Sequence, residues 1–525
     1  MTAERLMIAF VGTEVPAEVA QALGNAPYAG VSLFIEHNVR TPAQVRSLTA
    51  ALQHAARADG RPLLIAADQE GGQLNALGDG PTAFAGAMAL GAAGDPDLAE
   101  RVARATAVEL RALGVNVNYA PVCDLATAPD NPALGIRSFG DSPAAVGELA
   151  AAYVRGLQSE GVAATVKHFP GHGEATTDLH HGIAVVAESR EEMESRELVP
   201  FRAAFAAGAR LAMAGHHALP ALTGDPELPA SLAEPVVRGL LRDELGFDGL
   251  AITDALDMHA LAQGAAQVVD VITAVRAGED LLLGTADREL IARLSDGLAQ
   301  AEKRRLVDPA SGEQTRRRLT TLRRWLSGFD QPALDVVGCA EHRAIAHELA
   351  ERSITLVRND DARVPWRPGG TERIVVVQTP PARLTPADTS DRVVSTLAAA
   401  IRRRHPATDE LLTSAEPTDS EIAALRERVV DYDYVVVGTA AAHLRPREAA
   451  LAKALIAANP GAACVALRSP WDLKAYPEAR TYLCSYGILE PSMDALAGSL
   501  FGEIGFRGRL PVEISGMYER GHGLV

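Results

Sequence analysis

Through the first 300 residues, short runs of Val, Ile, Leu and Ala alternate with longer amphipathic stretches. The runs that read as strands are RLMIAFVG, GVSLFIEH, PLLIAADQ, VNVNYAPV, VAATVKHF, LAMAGHHA, GLAITDAL and EDLLLG. Their apolar positions are continuous rather than alternating, as a parallel sheet buried on both faces requires. Stretches such as DPDLAERVARATAVELRALG and PAAVGELAAAYVRGLQSEG lie between them and end at Gly, the expected residue past a helix C-terminus. Strands alternating with helices in this number predict an α/β fold, a (β/α)8 TIM-type barrel over residues 1–305. An open doubly wound sheet fits the same alternation.

The pattern then changes. KRRLVDPASGEQTRRRLTTLRRWL, residues 303–326, reads as basic and helical with its charges on a solvated face, and a helical linker is expected over 306–334. A second alternating region follows, with ERIVVVQT, YDYVVVGTA, AACVALRS and RTYLCSYG as strands and REAALAKALIAANPG as a helix. Residues 335–525 are expected to form a separate C-terminal α/β sandwich of three layers. PPARLTPADTSD reads as loop.

Composition narrows the class. A length of 525 residues exceeds one ordinary core, and 47% apolar with 22% charged residues is the balance of a globular chain. A net charge of −17 argues against nucleic acid and against an acidic membrane surface as partners. No run approaches the roughly 18 apolar residues of a membrane span, and the N-terminus lacks the basic and apolar regions of a signal peptide. Cys123, Cys339, Cys464 and Cys484 are scattered, without a C-x-x-C pair. A cytoplasmic location is expected, with no structural zinc.

Unusual polar residues follow the strand runs: Asp68-Gln69-Glu70-Gly71-Gly72, Asp124, Lys167-His168, His216-His217 and Asp254. In a barrel these positions share the C-terminal rim, where side chains converge on one pocket. Asp254 ends an apolar strand, a costly place for a carboxylate unless it is paired, and a rigid carboxylate there suits nucleophilic attack. Asp257 fits a helix cap better. The run Lys167–His181, KHFPGHGEATTDLHH, holds four of the 14 histidines. Asp178 and His180 lie two apart, so in an extended loop their side chains share one side and can act as a proton-shuttling pair. Metal binding through His168, His172, Asp178, His180 and His181 is the rival chemistry. The spacing H-E-x-x-H is absent, and Lys167 would repel a cation.

K-H-F-P-G-H-G followed by D-x-H resembles the signature of the β-N-acetylglucosaminidase branch of glycoside hydrolase family 3. The resemblance extends to Asp68–Gly72, to Arg137-Ser138-Phe139-Gly140, and to the stretch from Pro229-Ala230-Ser231 through Glu244–Gly249 to Thr253-Asp254. It continues in the second domain at Glu351–Ile354, Leu500–Gly502 and Gly508–Pro511. The resemblance implies a retaining enzyme with Asp254 as nucleophile and His180, oriented by Asp178, as acid/base. Asp68, Arg137, Lys167, His168 and Met258 would then bind the substrate. No cofactor is implied, and the expected partner is a small carbohydrate, met by a monomer or homodimer. Gln73 and Ala76 stand where the family pattern carries arginines, a departure that bears on sugar selectivity and a muropeptide substrate. Phosphorolysis, a β-glucosidase-type specificity, a metal-dependent hydrolase and a silent sugar-binding protein remain alternatives.

Overall fold

The eight apolar runs of the first 300 residues each become one strand of a closed parallel barrel in the computed structural model, which describes residues 2–56, 61–175 and 182–525. The strands are β1 (Leu6–Ile8), β2 (Gly30–Ser32), β3 (Leu64–Ala67), a short hairpin β4 (Gln69–Gly71) and β5 (Leu74–Asn75), β6 (Val117–Asn118), β7 (Ala163–Phe169), β8 (Leu211–Ala214), β9 (Leu250–Ala255) and β10 (Leu281–Leu283). The hairpin pairs only with itself, and the other eight follow the order β1-β10-β9-β8-β7-β6-β3-β2. Leu6 beside Leu282 and Met7 beside Gly30 close the ring. The expected barrel forms, and the open sheet that fits the same alternation does not.

Helix Pro309–Leu326, capped by the Asp308 carboxylate on Ala310 N–H, belongs to the basic stretch read as a linker. Its Leu319, Leu322 and Leu326 pack with Met7, Leu64, Val117 and Leu281 in one buried cluster inside the barrel. Its charges are not all solvated, contrary to the sequence reading. Arg318 pairs with buried Asp280 at 3.2 Å, and Arg323 donates to Ala29 O at 3.3 Å. A helix that closes a barrel floor must face the polar strand ends there, and guanidinium groups satisfy those exposed carbonyls.

The second sheet has the order β11-β16-β15-β14-β12-β13, from β11 (Thr355–Asn359), β12 (Ile374–Gln378), β13 (Thr408–Leu412), β14 (Tyr434–Thr439), β15 (Ala463–Ala466) and β16 (Thr481–Cys484). Only β11 runs antiparallel to its neighbour. Side-chain alternation splits the strands between two cores: Ile374, Val376 and Val436 pack under helices Leu397–Arg404 and Glu490–Leu500. Val375, Val377 and Val437 face the other side with Leu425, Leu451 and Leu455, giving three layers. That second core is contiguous with the apolar residues outside the barrel strands.

Polar contacts also join the two parts. Glu109 accepts from Thr82 N–H at 2.7 Å, Thr82 Oγ1 at 2.6 Å and Gly338 N–H at 3.0 Å, and lies 2.8 Å from His342 Nδ1. Gly140, the last residue of R-S-F-G, has φ +155°, and a Cβ there would lie 2.5 Å from Pro511 O. The motif glycine therefore permits close approach of the second domain's Gly508–Pro511 segment.

Candidate active site

Alternate strands of the barrel, β3, β7 and β9, deliver the charged groups. Past β3, Asp68 and Glu70 enter the mouth; β7 carries Lys167 and His168, joined by a cis peptide bond; β9 carries Asp254. Lys167, 1% exposed, places Nζ 2.7 Å from Asp68 Oδ1 and 2.5 Å from Glu70 Oε1. Arg137 grips the same Glu70 with two bonds of 2.9 Å, from Nε and a terminal nitrogen. Burial alone would raise the Glu70 pKa, yet Arg137 and Lys167 hold it down to about 2. Both cations are themselves held charged by these carboxylates, against the pull of burial.

Asp124 organises the next layer. It is fully buried, and its Oδ2 accepts from His168 N–H at 3.1 Å and from His168 Nδ1 at 2.7 Å. Its Oδ1 accepts from His172 N–H at 3.1 Å. Against its own desolvation, His172 and His168 keep this carboxylate well below the usual range. Burial lowers the His168 pKa despite Asp124, so its ring is neutral with the proton on Nδ1 and Nε2 left toward Arg137, 3.5 Å away.

Asp254 is the electrostatic counterpart. Burial pushes its pKa up, while His168, His216, the Ala255 N–H at 2.7 Å and Lys167 bring it down to about 2. His216 fixes the next peptide along: its Nε2 donates to Ala255 O at 3.1 Å, while Nδ1 lies 2.7 Å from Ser231 Oγ. Burial keeps this imidazole neutral, so Nδ1 accepts from the serine hydroxyl. Asp254 is thus an anion with a fixed backbone and little side-chain coordination, an arrangement suited to attack on an electrophilic carbon.

Asp68, Arg137, Lys167, His168, Asp254 and Met258 all line one cavity of about 520 Å³ at the barrel mouth. Asp257, read as a cap, is exposed on the same wall. Asp178 and His180 lie outside the described residues, as does His181. Ala175, the residue preceding that stretch, is tied by its carbonyl to Nδ2 of Asn131, itself a lining residue, at 2.9 Å.

For a metal ion, the described residues offer one trio, Asp124, His168 and His172, with ligand atoms within 4.8 Å of one another. Both Asp124 oxygens already accept N–H donors, and the protonated His168 Nδ1 is one of them. The chemistry of this set fits a hydrogen-bond network that orients His168.

The sequence pattern missed Glu70 as the centre of the ion network and Asp124 as the anchor of His168. Both stand at the rim in sequence, but which of several adjacent acids turns inward depends on the hairpin β4–β5, which no apolar periodicity marks. Gln73 does not line the cavity: its carbonyl accepts from Thr389 N–H at 2.8 Å, and its side-chain oxygen accepts from Arg468 of the second domain. Ala76 does line it.

Comparison with known proteins adds a family. The profile of the glycosyl hydrolase family 3 N terminal domain matches residues 4–321. The chain is similar to beta-hexosaminidase A of Pseudoalteromonas piscicida, 33% identical over 374 residues, covering 66% of this chain and 62% of that protein. It is also similar to the beta-hexosaminidase of Stenotrophomonas maltophilia, 39% identical over 284 residues, 53% of this chain and 82% of the relative. Among solved structures, a glycoside hydrolase family 3 beta-N-acetylglucosaminidase from Paenibacillus sp. str. FPU-7 superposes with a TM-score of 0.91. The two are 34% identical, and the match covers 98% of each chain.

Proposed function

Because the chain belongs to glycosyl hydrolase family 3, we propose that it is a retaining exo-β-N-acetylglucosaminidase, acting on small glycosides through a covalent intermediate on Asp254. The observation that carries the reading is the ionised, sparsely coordinated Asp254 at the floor of a cavity whose other polar groups are fixed in place. The names of the relatives, beta-hexosaminidase and beta-N-acetylglucosaminidase, support the choice of sugar.

Each step has a residue. Lys167, Arg137, Asp68 and the His168 Nε2 face the terminal sugar and hydrogen-bond its hydroxyls, with Glu70 and Asp124 holding the donors rigid. An Asp254 oxygen attacks C1 as the glycosidic C–O bond breaks, through an oxocarbenium-like state. His180, paired with Asp178, gives its proton to the leaving oxygen and then takes one from the water that cleaves the glycosyl-aspartate. A neutral base leaves Asp254 as the reacting anion without a second fixed carboxylate opposite it.

A panel of 4-nitrophenyl β-glycosides tests the reading. The N-acetyl-β-glucosaminide is expected to be the best substrate, with the β-anomer as first product. Preference for the β-glucoside, or inversion at C1, would overturn it.

A further inference from the structure

The cavity lining divides by chemistry into two kinds of wall. One holds the buried polar groups Arg137, Lys167 and His168; the other is apolar, with Leu134 and Met258 buried, Phe34 and Ala387 half-buried and Pro386 exposed, and the exposed carboxylate of Asp257 lies on the same lining. Pro386 and Ala387 come from the second domain, on the turn read from sequence as a simple loop. That turn is built into the site. Thr389 N–H and Oγ1 both donate to Gln73 O, at 2.8 and 3.1 Å, and Asp388 pairs with Arg468 at 2.9 Å. Asn75 N–H in turn donates to Thr389 Oγ1 at 3.1 Å.

The charges of this mouth are lopsided. Among the described lining residues the lysine and the arginine are consumed, Lys167 by Asp68 and Glu70 and Arg137 by Glu70. Arg383, beside the turn, holds Glu36 and Asp391. Asp257 has no ion pair among the described residues, and exposed His259 is the remaining basic side chain outside the buried polar wall. A leaving group carrying a carboxylate or phosphate would therefore meet apolar surface and a like charge, with no unpaired guanidinium or ammonium among the described lining residues to receive it.

We propose that the second-domain turn and the facing barrel loops form a leaving-group site that selects neutral aglycones over anionic ones. The inference rests on the glycosidase reading above and narrows its substrate class to N-acetylglucosaminides of neutral sugars or alcohols. It also disfavours phosphate as the acceptor in place of water.

The test uses the full chain and a disaccharide of N-acetylglucosamine β-linked to a 3-O-lactyl N-acetylglucosamine, as the free acid and as its methyl ester. The two differ by one charge and little else. At pH 7.5 and low salt, kcat/KM for the ester is expected to exceed that for the acid by about tenfold. Ala387→Arg should shrink that ratio to about threefold or less, and Asp257→Asn should shrink it in the same direction. A ratio measured within each variant cancels any general loss of activity, and the second substitution covers misfolding of the first. Equal use of acid and ester by the unaltered protein, or a ratio that neither variant moves, would overturn the proposal. Turnover of 4-nitrophenyl N-acetyl-β-glucosaminide separates the two levels. If it is hydrolysed while the ratio is near one, only the leaving-group inference fails. If it is not, the functional reading fails and the inference falls with it.

Discussion

Two carboxylates of the site, Glu70 behind the cavity wall and Asp254 on it, stay ionised down to about pH 2, for different reasons. Glu70 is neutralised by two cations at contact distance; Asp254 has a peptide N–H and more distant charges. For Glu70 the folded pKa lies below the ordinary 4.5, so its stabilisation is fully present above that value and is lost as pH falls toward 2. The shift corresponds to about 3 kcal/mol at neutral pH. Glu70→Gln should cost on the order of 3–5 kcal/mol at pH 7, since Lys167 and Arg137 lose their shared counter-ion, and should flatten stability between pH 4.5 and 2.5. Urea unfolding at several pH values reads both effects. Asp254→Ala should lower turnover at least about a thousandfold while leaving the melting temperature nearly unchanged. His180→Ala should slow poor leaving groups far more than activated aryl ones, because only the former need a proton. Equal losses for both classes would contradict its role. Asp254, Lys167 and His168 were legible because a polar residue ending an apolar run is conspicuous; Arg137 ends no such run and is implied only by the resemblance carried by R-S-F-G. Asp124 and Glu70 were less so, because their roles arise from partners distant in sequence.

Helix Pro309–Leu326 shows the same contrast one level up. Its helical character was readable, but its role as barrel floor was not, since 3.6-residue periodicity says which face is apolar and not what it meets. Leu322→Ala should cost about 2–4 kcal/mol with KM unaffected, as judged by denaturant midpoint and steady-state kinetics. The barrel strands were legible for a physical reason: enclosed on both faces, they carry unbroken apolar runs. The edge strand β13, TDELL, buries only Thr408 and Leu411 and leaves Asp409 and Leu412 exposed, so it carries no unbroken apolar run and resembles a loop by composition. β11 at the other edge escaped notice similarly, with Arg358 and Asn359 in its second half. The turn of residues 385–389 was read correctly as irregular, but its place at the cavity depends on Gln73 and Arg468, nearly 400 positions apart.

At the scale of the molecule, one apolar cluster runs from the barrel's helices into one face of the second sheet. Glu109 with His342 and Gly338, and Asp141 with Arg520, span the same seam. The two parts are therefore expected to unfold together, in a single calorimetric transition; two resolved transitions would show that the seam is weaker than its burial implies. Among the described residues, no helix is long and apolar enough to cross a membrane. The account as a whole depends on Asp254 forming a bond to the sugar. Incubation with a fluorinated N-acetylglucosaminyl donor that slows breakdown of the intermediate, followed by peptide mass mapping, tests this directly. The account expects one adduct per chain, on the peptide spanning residues 249–258 and at Asp254, lost in Asp254→Ala. An adduct on another residue, or none despite time-dependent inactivation, would contradict it.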